Sequence, residues 1–401
     1  MARISVLAQF FPPETNPAAR RLEPFLDSLA RFHEITVTTL RPSYPSPDLY
    51  EDGAAAASDA NRPYRIRRTI AFHPHPRRLA VRAVREQAMA AMLLLAAARD
   101  RPDVVLASSP SMFLGPAGWA LARASRARFV LDLRDLHWRL ARELASDRTG
   151  RISGLALRGL ERHMWSIVKR ADLIASATPG ITTVLLDEGV PEQKILTLAN
   201  TISQELLDEL EPCATEVPKE RPVCAYVGLI GYSQGLEDLV DAARLAPDVD
   251  FVIGGDGSRR RELEQRAHGV ENVRFAGYLD RGALVDFYRE SDILFVQTRA
   301  SEYTNTTVIP VKLYEYMAAS RPIVYAGTGL AVEFLRDTGC AITVPPGDAP
   351  AIAAAVGELA RDRERRRQLG RNGRAFVEST ETRERTAERL VAAFDQLLRA
   401  T

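Results

Sequence analysis

Short apolar runs of strand length alternate with longer amphipathic runs along nearly the whole chain, and that rhythm leaves few folds open. In the first half, strands are expected at Arg3–Phe10, Ile35–Leu40, Val104–Ala107, Phe129–Asp132, Leu173–Ser176 and Ile195–Leu198. Helices are expected near 18–30, 80–99, 112–125 and 152–169. The second half repeats the pattern, with strands at Val223–Val227, Phe251–Ile253, Val273–Phe275, Ile293–Val296, Ile323–Tyr325 and Ala341–Val344. Its helices fall near 235–245, 259–267, 282–290, 310–319 and 330–337. Strands joined by helical crossovers build parallel sheets, so the class is α/β. A chain of 401 residues is too long for one ordinary core and predicts two doubly wound domains. The Asn200–Pro222 stretch, with Pro212, Pro218 and Pro222, reads as the linker. The domains are then 1–200 and 201–380, with a final helix in 381–401.

Lys and Arg total 53 and Asp and Glu 52, a balance that excludes a broadly basic nucleic-acid binder. The halves differ, however: residues 1–200 carry +8 and residues 201–401 carry −7. Cys213, Cys224 and Cys340 are far apart and lack clustered histidines, so neither a disulfide framework nor a zinc site is indicated. The apolar start stops at Pro12-Pro13, too early for a secretion signal. The stretch from Ala88 to Ala98 falls short of the about 20 residues that span a bilayer. A cytoplasmic location is expected.

In doubly wound domains, function concentrates in the loops leaving the carboxyl ends of the strands. Two such loops in the second half are rich in glycine: Gly228 to Gly235, and Gly254-Gly255-Asp256-Gly257. Glycine lets backbone N–H groups approach a phosphate, and a following helix N-terminus adds positive potential. A third loop, Gln297 to Ile309, is long, polar and hydroxyl-rich, and includes Thr306, Thr307 and Val308. It leads into a helix with Pro310 at its first position, Lys312 in the first turn and Glu315 three residues on. A cation in a first turn opposes the helix dipole unless an anion is bound there, which points to a diphosphate. A surface Lys–Glu pair is the plainer alternative. Asp248-Val249-Asp250 resembles a metal-binding D-x-D but precedes its strand, at the wrong edge for catalysis.

The first half offers Pro12 to Pro17, with Asn16 and the following Arg20 and Arg21. It also offers Asp132 to Trp138, in which Asp135 and His137 can orient hydroxyls or move a proton.

Taken in order, FFPPETNPAARR, FHEITVTT, VLDLRDLHW, ADLIASATPGI, YVGLIGYSQGLEDLVDAA, VIGGDGSRRRELE, NVRFAGYLDRGALVDFYRESDILFV, PVKLYEYMAASRPIVYAG and VPPGD resemble family-4 glycosyltransferases. The resemblance covers nearly the whole chain. It implies the GT-B fold, two Rossmann-like domains facing a cleft, with the acceptor on the first and a nucleotide sugar, most readily a UDP-sugar, on the second. It also implies transfer with retention, no obligatory metal and a last helix crossing back to the first domain. By the same resemblance Glu315 binds ribose and Lys312 stabilises the departing diphosphate. Gly228, Gly231, Tyr232 and Ser233 contact phosphate, and Gly255, Asp256 and Tyr278 border the base. Four departures stand out: Leu229 and Gln234 replace an expected Arg and Lys, Thr307 replaces the first of two glutamates eight apart, and Asn16-Pro17 replaces the usual Gly-Gly. This combination is similar to a subgroup that builds bacterial surface polysaccharides, often moving N-acetylated amino sugars onto lipid-linked acceptors.

Residues 62–101 hold ten arginines against Glu86 and Asp100 and run into AMAAMLLLAAA, a composition suited to an anionic membrane surface as well as to a helix packed on its sheet. Two other readings stay open: a soluble natural-product glycosyltransferase or pseudo-glycosyltransferase, and a sugar-nucleotide-binding scaffold without turnover.

Overall fold

The computed structural model describes residues 1–14, 16–43, 47, 50, 53–70, 79–146, 151–211, 219–380 and 382–399. Cys213, with residues 212–218 of the expected linker, and the segment 71–78 lie outside them. The chain divides into two compact units, residues 1–200 with 383–401, and residues 201–382.

The first unit holds a seven-stranded sheet. Its strands are β1 (Arg3–Ala8), β2 (Glu34–Leu40), β3 (Arg65–Thr69), β4 (Val104–Ser108), β5 (Arg128–Leu133), β6 (Leu173–Ser176) and β7 (Ile195–Thr197), in the order β3-β2-β1-β4-β5-β6-β7. Every pairing is parallel, with Ile4 facing Ile35 on one side and Val104 on the other. Central strands are buried on both faces, which is why β4 reads as one apolar run. The sequence RIRRT hides β3, because an edge strand pairs on one side only and keeps its arginines partly exposed. Those arginines are committed: Arg67 pairs with Asp100 at 2.9 Å and Arg68 with Asp59 at 2.7 Å. Helix Leu79–Ala97 buries Met89, Ala90, Leu93 and Ala97 while exposing Val81, Val84 and Leu95. Helix Arg383–Arg399 sends Ala387, Leu390 and Phe394 into the same core as Leu22, Phe25 and Leu26 of helix Pro17–Leu29.

The second unit holds a six-stranded parallel sheet. Its strands are β8 (Val223–Val227), β9 (Asp250–Gly254), β10 (Val273–Gly277), β11 (Ile293–Gln297), β12 (Ile323–Ala326) and β13 (Ala341–Val344), in the order β10-β9-β8-β11-β12-β13. Winding proceeds outward from β8 in one direction and from β11 in the other, so the β8/β11 junction is the switch point where such sheets open a crevice. Strand β8 alternates cleanly: Cys224 and Tyr226 enter one core, Val223, Ala225 and Val227 the other. Asp250 opens β9 and pairs with Arg221 at 3.2 Å, a structural use of the D-x-D segment.

Candidate active site

At the switch point of the second unit, the loops after β8 and β9 are laced together past the ends of their strands. Gly228 N–H donates to Gly254 O at 3.1 Å, Ile230 N–H to Asp256 O at 2.8 Å and Arg259 N–H to Ile230 O at 3.1 Å. Gly255 N–H in turn donates to Gly277 O at 2.6 Å. The approach demands glycine: Gly255 has φ +109°, and a Cβ there would lie 1.9 Å from the Gly228 carbonyl oxygen. The Gly228 amide, expected to face phosphate, is thus engaged within the protein, as is that of Ile230. Asp256 is exposed and accepts Gly257 N–H at 2.7 Å; Tyr278, just beyond β10, is 46% exposed.

Helix Lys312–Ala318 brings the charged pair to this junction. Lys312 Nζ donates to Tyr226 Oη at 2.8 Å and sits 4.4 Å from the centre of the same ring. The Tyr226 hydroxyl passes its own proton to Leu229 O at 2.7 Å, so the lysine is tied to the β8 loop. Burial pulls the Lys312 ammonium down to about 8, opposed by the nearby Glu315 carboxylate. Glu315 accepts a hydrogen bond from the Tyr288 hydroxyl at 2.8 Å. Tyr316, on the next position, accepts Val227 N–H at 3.2 Å and packs edge-on against Tyr288, with ring centres 5.7 Å apart. Buried Tyr316 therefore holds the helix to β8, while buried Tyr288, from helix Arg281–Arg289, fixes the Glu315 carboxylate.

The segment before this helix differs from the expected loop. Glu302–Thr307 is a short helix, started by a capping box in which Ser301 and Thr304 exchange side-chain and backbone bonds. Its hydroxyls turn inward: Thr306 Oγ1 donates to Glu302 O at 2.8 Å and buried Thr307 Oγ1 to Tyr303 O at 2.6 Å. Val308 caps its C-terminal end. Pro310 lies one residue before the cap of the next helix, Val311, and not at the first helical position; its carbonyl accepts Leu313 N–H at 3.1 Å.

A residue that sequence reasoning passed over organises the β8 loop. Arg299, beyond β11, donates through its backbone to Ser233 O at 3.0 Å and through Nε to Tyr232 O at 2.7 Å. It also ion-pairs with Glu237 and stacks 4.5 Å from the Tyr232 ring. Tyr232 is 62% exposed and is flanked on its other side by Arg259, 5.6 Å from the ring centre. Gly231 and Ser233 lie in the same arginine-braced turn. Leu229 and Gln234 differ in setting: Leu229 is exposed, while the Gln234 amide oxygen is buried without a partner.

In the first unit, Asn16 caps helix Pro17–Leu29, accepting Ala18 N–H at 2.9 Å and Ala19 N–H at 3.0 Å. Its side-chain nitrogen is buried without a partner. Arg20 is half-buried on the first turns. Its neighbour Arg21 is the structural one: its Nε pairs with buried Asp132 at 3.2 Å and its Nη1 reaches Leu198 O at 2.7 Å. Ser108 Oγ donates to the other Asp132 oxygen at 2.7 Å. Beyond β5, His137 begins a helix, His137–Ser146, where a polar loop was expected; its Nδ1 is buried and unpartnered. Half-buried Asp135 lines a small cavity with Ser109, Ser111, Leu133, Trp138 and Met164.

Among the described residues no group of three or more His, Cys, Asp or Glu could hold a metal ion. No helix among them is long and apolar enough to cross a membrane.

Two family descriptions match the chain: "Glycosyl transferase 4-like domain" over residues 18–201 and "Glycosyl transferases group 1" over residues 209–376. WcaI of Escherichia coli K12, a protein named for glycosyl transfer in colanic acid biosynthesis, is 25% identical over 82% of this chain and 84% of its own length. The O-antigen chain mannosyltransferase C of Escherichia coli is 29% identical over 43% of this chain and 46% of its own. Among solved structures, the sucrose-phosphate synthase of Thermosynechococcus elongatus matches over all of both chains with a TM-score of 0.73 at 17% identity. Anabaena Alr3699/HepE in complex with UDP and glucose matches over 98% of this chain and 100% of its own, with a TM-score of 0.70 at 15% identity. With both units matched in order and the doubly wound sheets of the GT-B fold in place, the chain belongs to the family-4-like, group 1 glycosyltransferases.

Proposed function

We propose that the protein transfers a sugar, with retention, from a nucleoside diphosphate to a hydroxyl acceptor during surface polysaccharide or glycoconjugate synthesis. The observation that carries this reading is the Lys312 ammonium. It is half-buried at a helix N-terminus on the sheet's switch point and tied to the glycine loop of β8. A positive group in that place is matched to charge that develops on a departing diphosphate. Glu315, fixed by Tyr288, takes the ribose hydroxyls, and Gly255, Asp256 and Tyr278 border the base. Thr306, Thr307 and Val308 shape the wall beside the donor; both threonine hydroxyls donate to carbonyls of their own helix, which leaves exposed Thr306 Oγ1 able to accept from a ligand.

In the reaction, the bond between the anomeric carbon and the phosphate oxygen breaks, and the acceptor oxygen bonds to the same face. The acceptor proton passes to the departing phosphate oxygen, so no side-chain nucleophile is required. Asp135 and His137 in the first unit orient the acceptor, with Asn16 and Arg20 at the neighbouring helix start. UDP is the favoured carrier, in line with the UDP and UDP-glucose complexes of Alr3699/HepE. An N-acetylated amino sugar and a lipid-linked acceptor are the finer assignments and rest on the resemblance of the sequence; relatives named for colanic acid and O-antigen chains support the surface-polysaccharide reading. Incubation with a panel of UDP-sugars tests this: UDP release that rises with an acceptor supports transfer. Tight UDP binding without release or transfer across the panel supports a scaffold instead.

Contact with an anionic membrane is proposed for the segment 62–101, which is arginine-rich in sequence and exposes Ile70, Val81, Val84 and Leu95 among its described residues. Sedimentation with anionic liposomes at low salt tests it, and equal recovery in the supernatant with and without liposomes contradicts it.

A further inference from the structure

We infer that Tyr226 is a positioning residue for Lys312, its hydroxyl holding the ammonium against the β8 loop where the departing diphosphate is stabilised. This rests on the proposed role of Lys312. The site lies at the end of a central strand, where Tyr226 is fully buried and cannot swing to another partner. Its hydroxyl does two things at once. It accepts from Lys312 Nζ at 2.8 Å and donates to Leu229 O at 2.7 Å, so the hydroxyl has one proton and one direction in which to point it. The ring face below adds a cation–π contact at 4.4 Å.

The geometry leaves the ammonium little other choice. A Cβ on Gly228 would lie 2.2 Å from Lys312 Nζ and 3.5 Å from the Tyr226 hydroxyl, so the ammonium end is held between the glycine backbone and the tyrosine. The groups that face Lys312 among the described residues are Tyr226 from β8 and Glu315 on its own helix. Tyr288 reaches in from helix Arg281–Arg289 to hold Glu315. With Glu315 committed to Tyr288, the neutral hydroxyl of Tyr226 is the contact that aims the ammonium. Such aiming matters because a positive group stabilises the transition state only when its direction is set beforehand.

The test is Tyr226→Phe, which keeps the ring and removes the hydroxyl. The expected result is a roughly ten-fold fall in kcat with little change in donor KM. The alkaline limb of kcat/KM should move to lower pH, because the charged lysine has lost an acceptor. A tyrosine that merely fills the core would lower the melting temperature and leave that limb in place. The second measurement is Tyr226→Phe in a Lys312→Ala background. Positioning predicts almost no further loss there, whereas a general structural defect predicts the same ten-fold factor in both backgrounds. Unchanged kcat and pH limb in Tyr226→Phe, with Lys312→Ala strongly impaired, overturns the inference and leaves the lysine's role intact. Full activity in Lys312→Ala overturns the reading beneath it.

Discussion

The Lys312 ammonium lies so close to the backbone of Gly228 that a single added methyl would come within 2.2 Å of its nitrogen. Gly228 also has φ +142°, a conformation that side chains rarely adopt. Gly228→Ala should therefore displace Lys312 and strain the loop together. The expected outcome is a fall in kcat of about 100-fold, close to the loss expected from removing the lysine itself. Steady-state kinetics beside a thermal melt check this; loss of activity only in step with loss of folded protein contradicts it.

Burial pulls Lys312 to about 8 from an ordinary value of 10.5, which makes its charge sensitive to pH near neutrality. The protonated form is the useful one, so kcat/KM should fall as pH rises through about 8. The effect on folding has the opposite sign. Between that value and 10.5 the unfolded chain binds more protons at this residue, so its contribution to stability rises with pH. A pH–rate profile measured beside urea melts separates the two trends, and activity flat to pH 9.5 contradicts the assignment.

The Tyr288 hydroxyl donates to Glu315 at 2.8 Å and fixes the carboxylate proposed to read ribose. Glu315→Gln should weaken nucleoside diphosphate binding by roughly ten-fold, the scale of one charge-assisted hydrogen bond. Tyr288→Phe should weaken it in the same direction by less. Calorimetry with UDP and with 2′,3′-dideoxy-UDP checks the ribose contact. The difference between the two ligands should shrink in both variants, and an undiminished difference contradicts the role.

The Arg21–Asp132 pair in the first unit is buried on both sides and shares Ser108 and the Leu198 carbonyl. Asp132→Ala leaves the guanidinium without its counter-charge and should cost about 3 kcal/mol of stability. A denaturant melt monitored through Trp138 and Trp165, which pack edge to face in that unit at 5.4 Å, reads the change. A midpoint matching the unchanged protein contradicts the structural role given to this pair.

Much of the fold was legible because buried parallel strands are uninterrupted apolar runs between turns; Val223–Val227 and Leu173–Ser176 lie where that pattern puts them. The pattern failed where burial is one-sided or capping decides. The arginine-rich β3 is an edge strand. Glu302–Thr307 has a polar, β-branched composition and becomes helical through Ser301 and Thr304. In the candidate site, Lys312 and Glu315 were visible because they are neighbours in sequence on one helix face. Their holders were not: Tyr226 is 86 residues from Lys312, Tyr288 is 27 from Glu315, and Arg299 is 67 from Tyr232. No local pattern joins residues that only the sheet brings together.

The most direct test of the account compares turnover and nucleotide binding in Lys312→Ala. If the ammonium acts on the departing diphosphate, kcat should fall by about 100- to 1,000-fold, with UDP affinity falling ten-fold or less. Equal losses in turnover and affinity would reduce Lys312 to an ordinary binding contact, and unimpaired turnover would contradict the account outright.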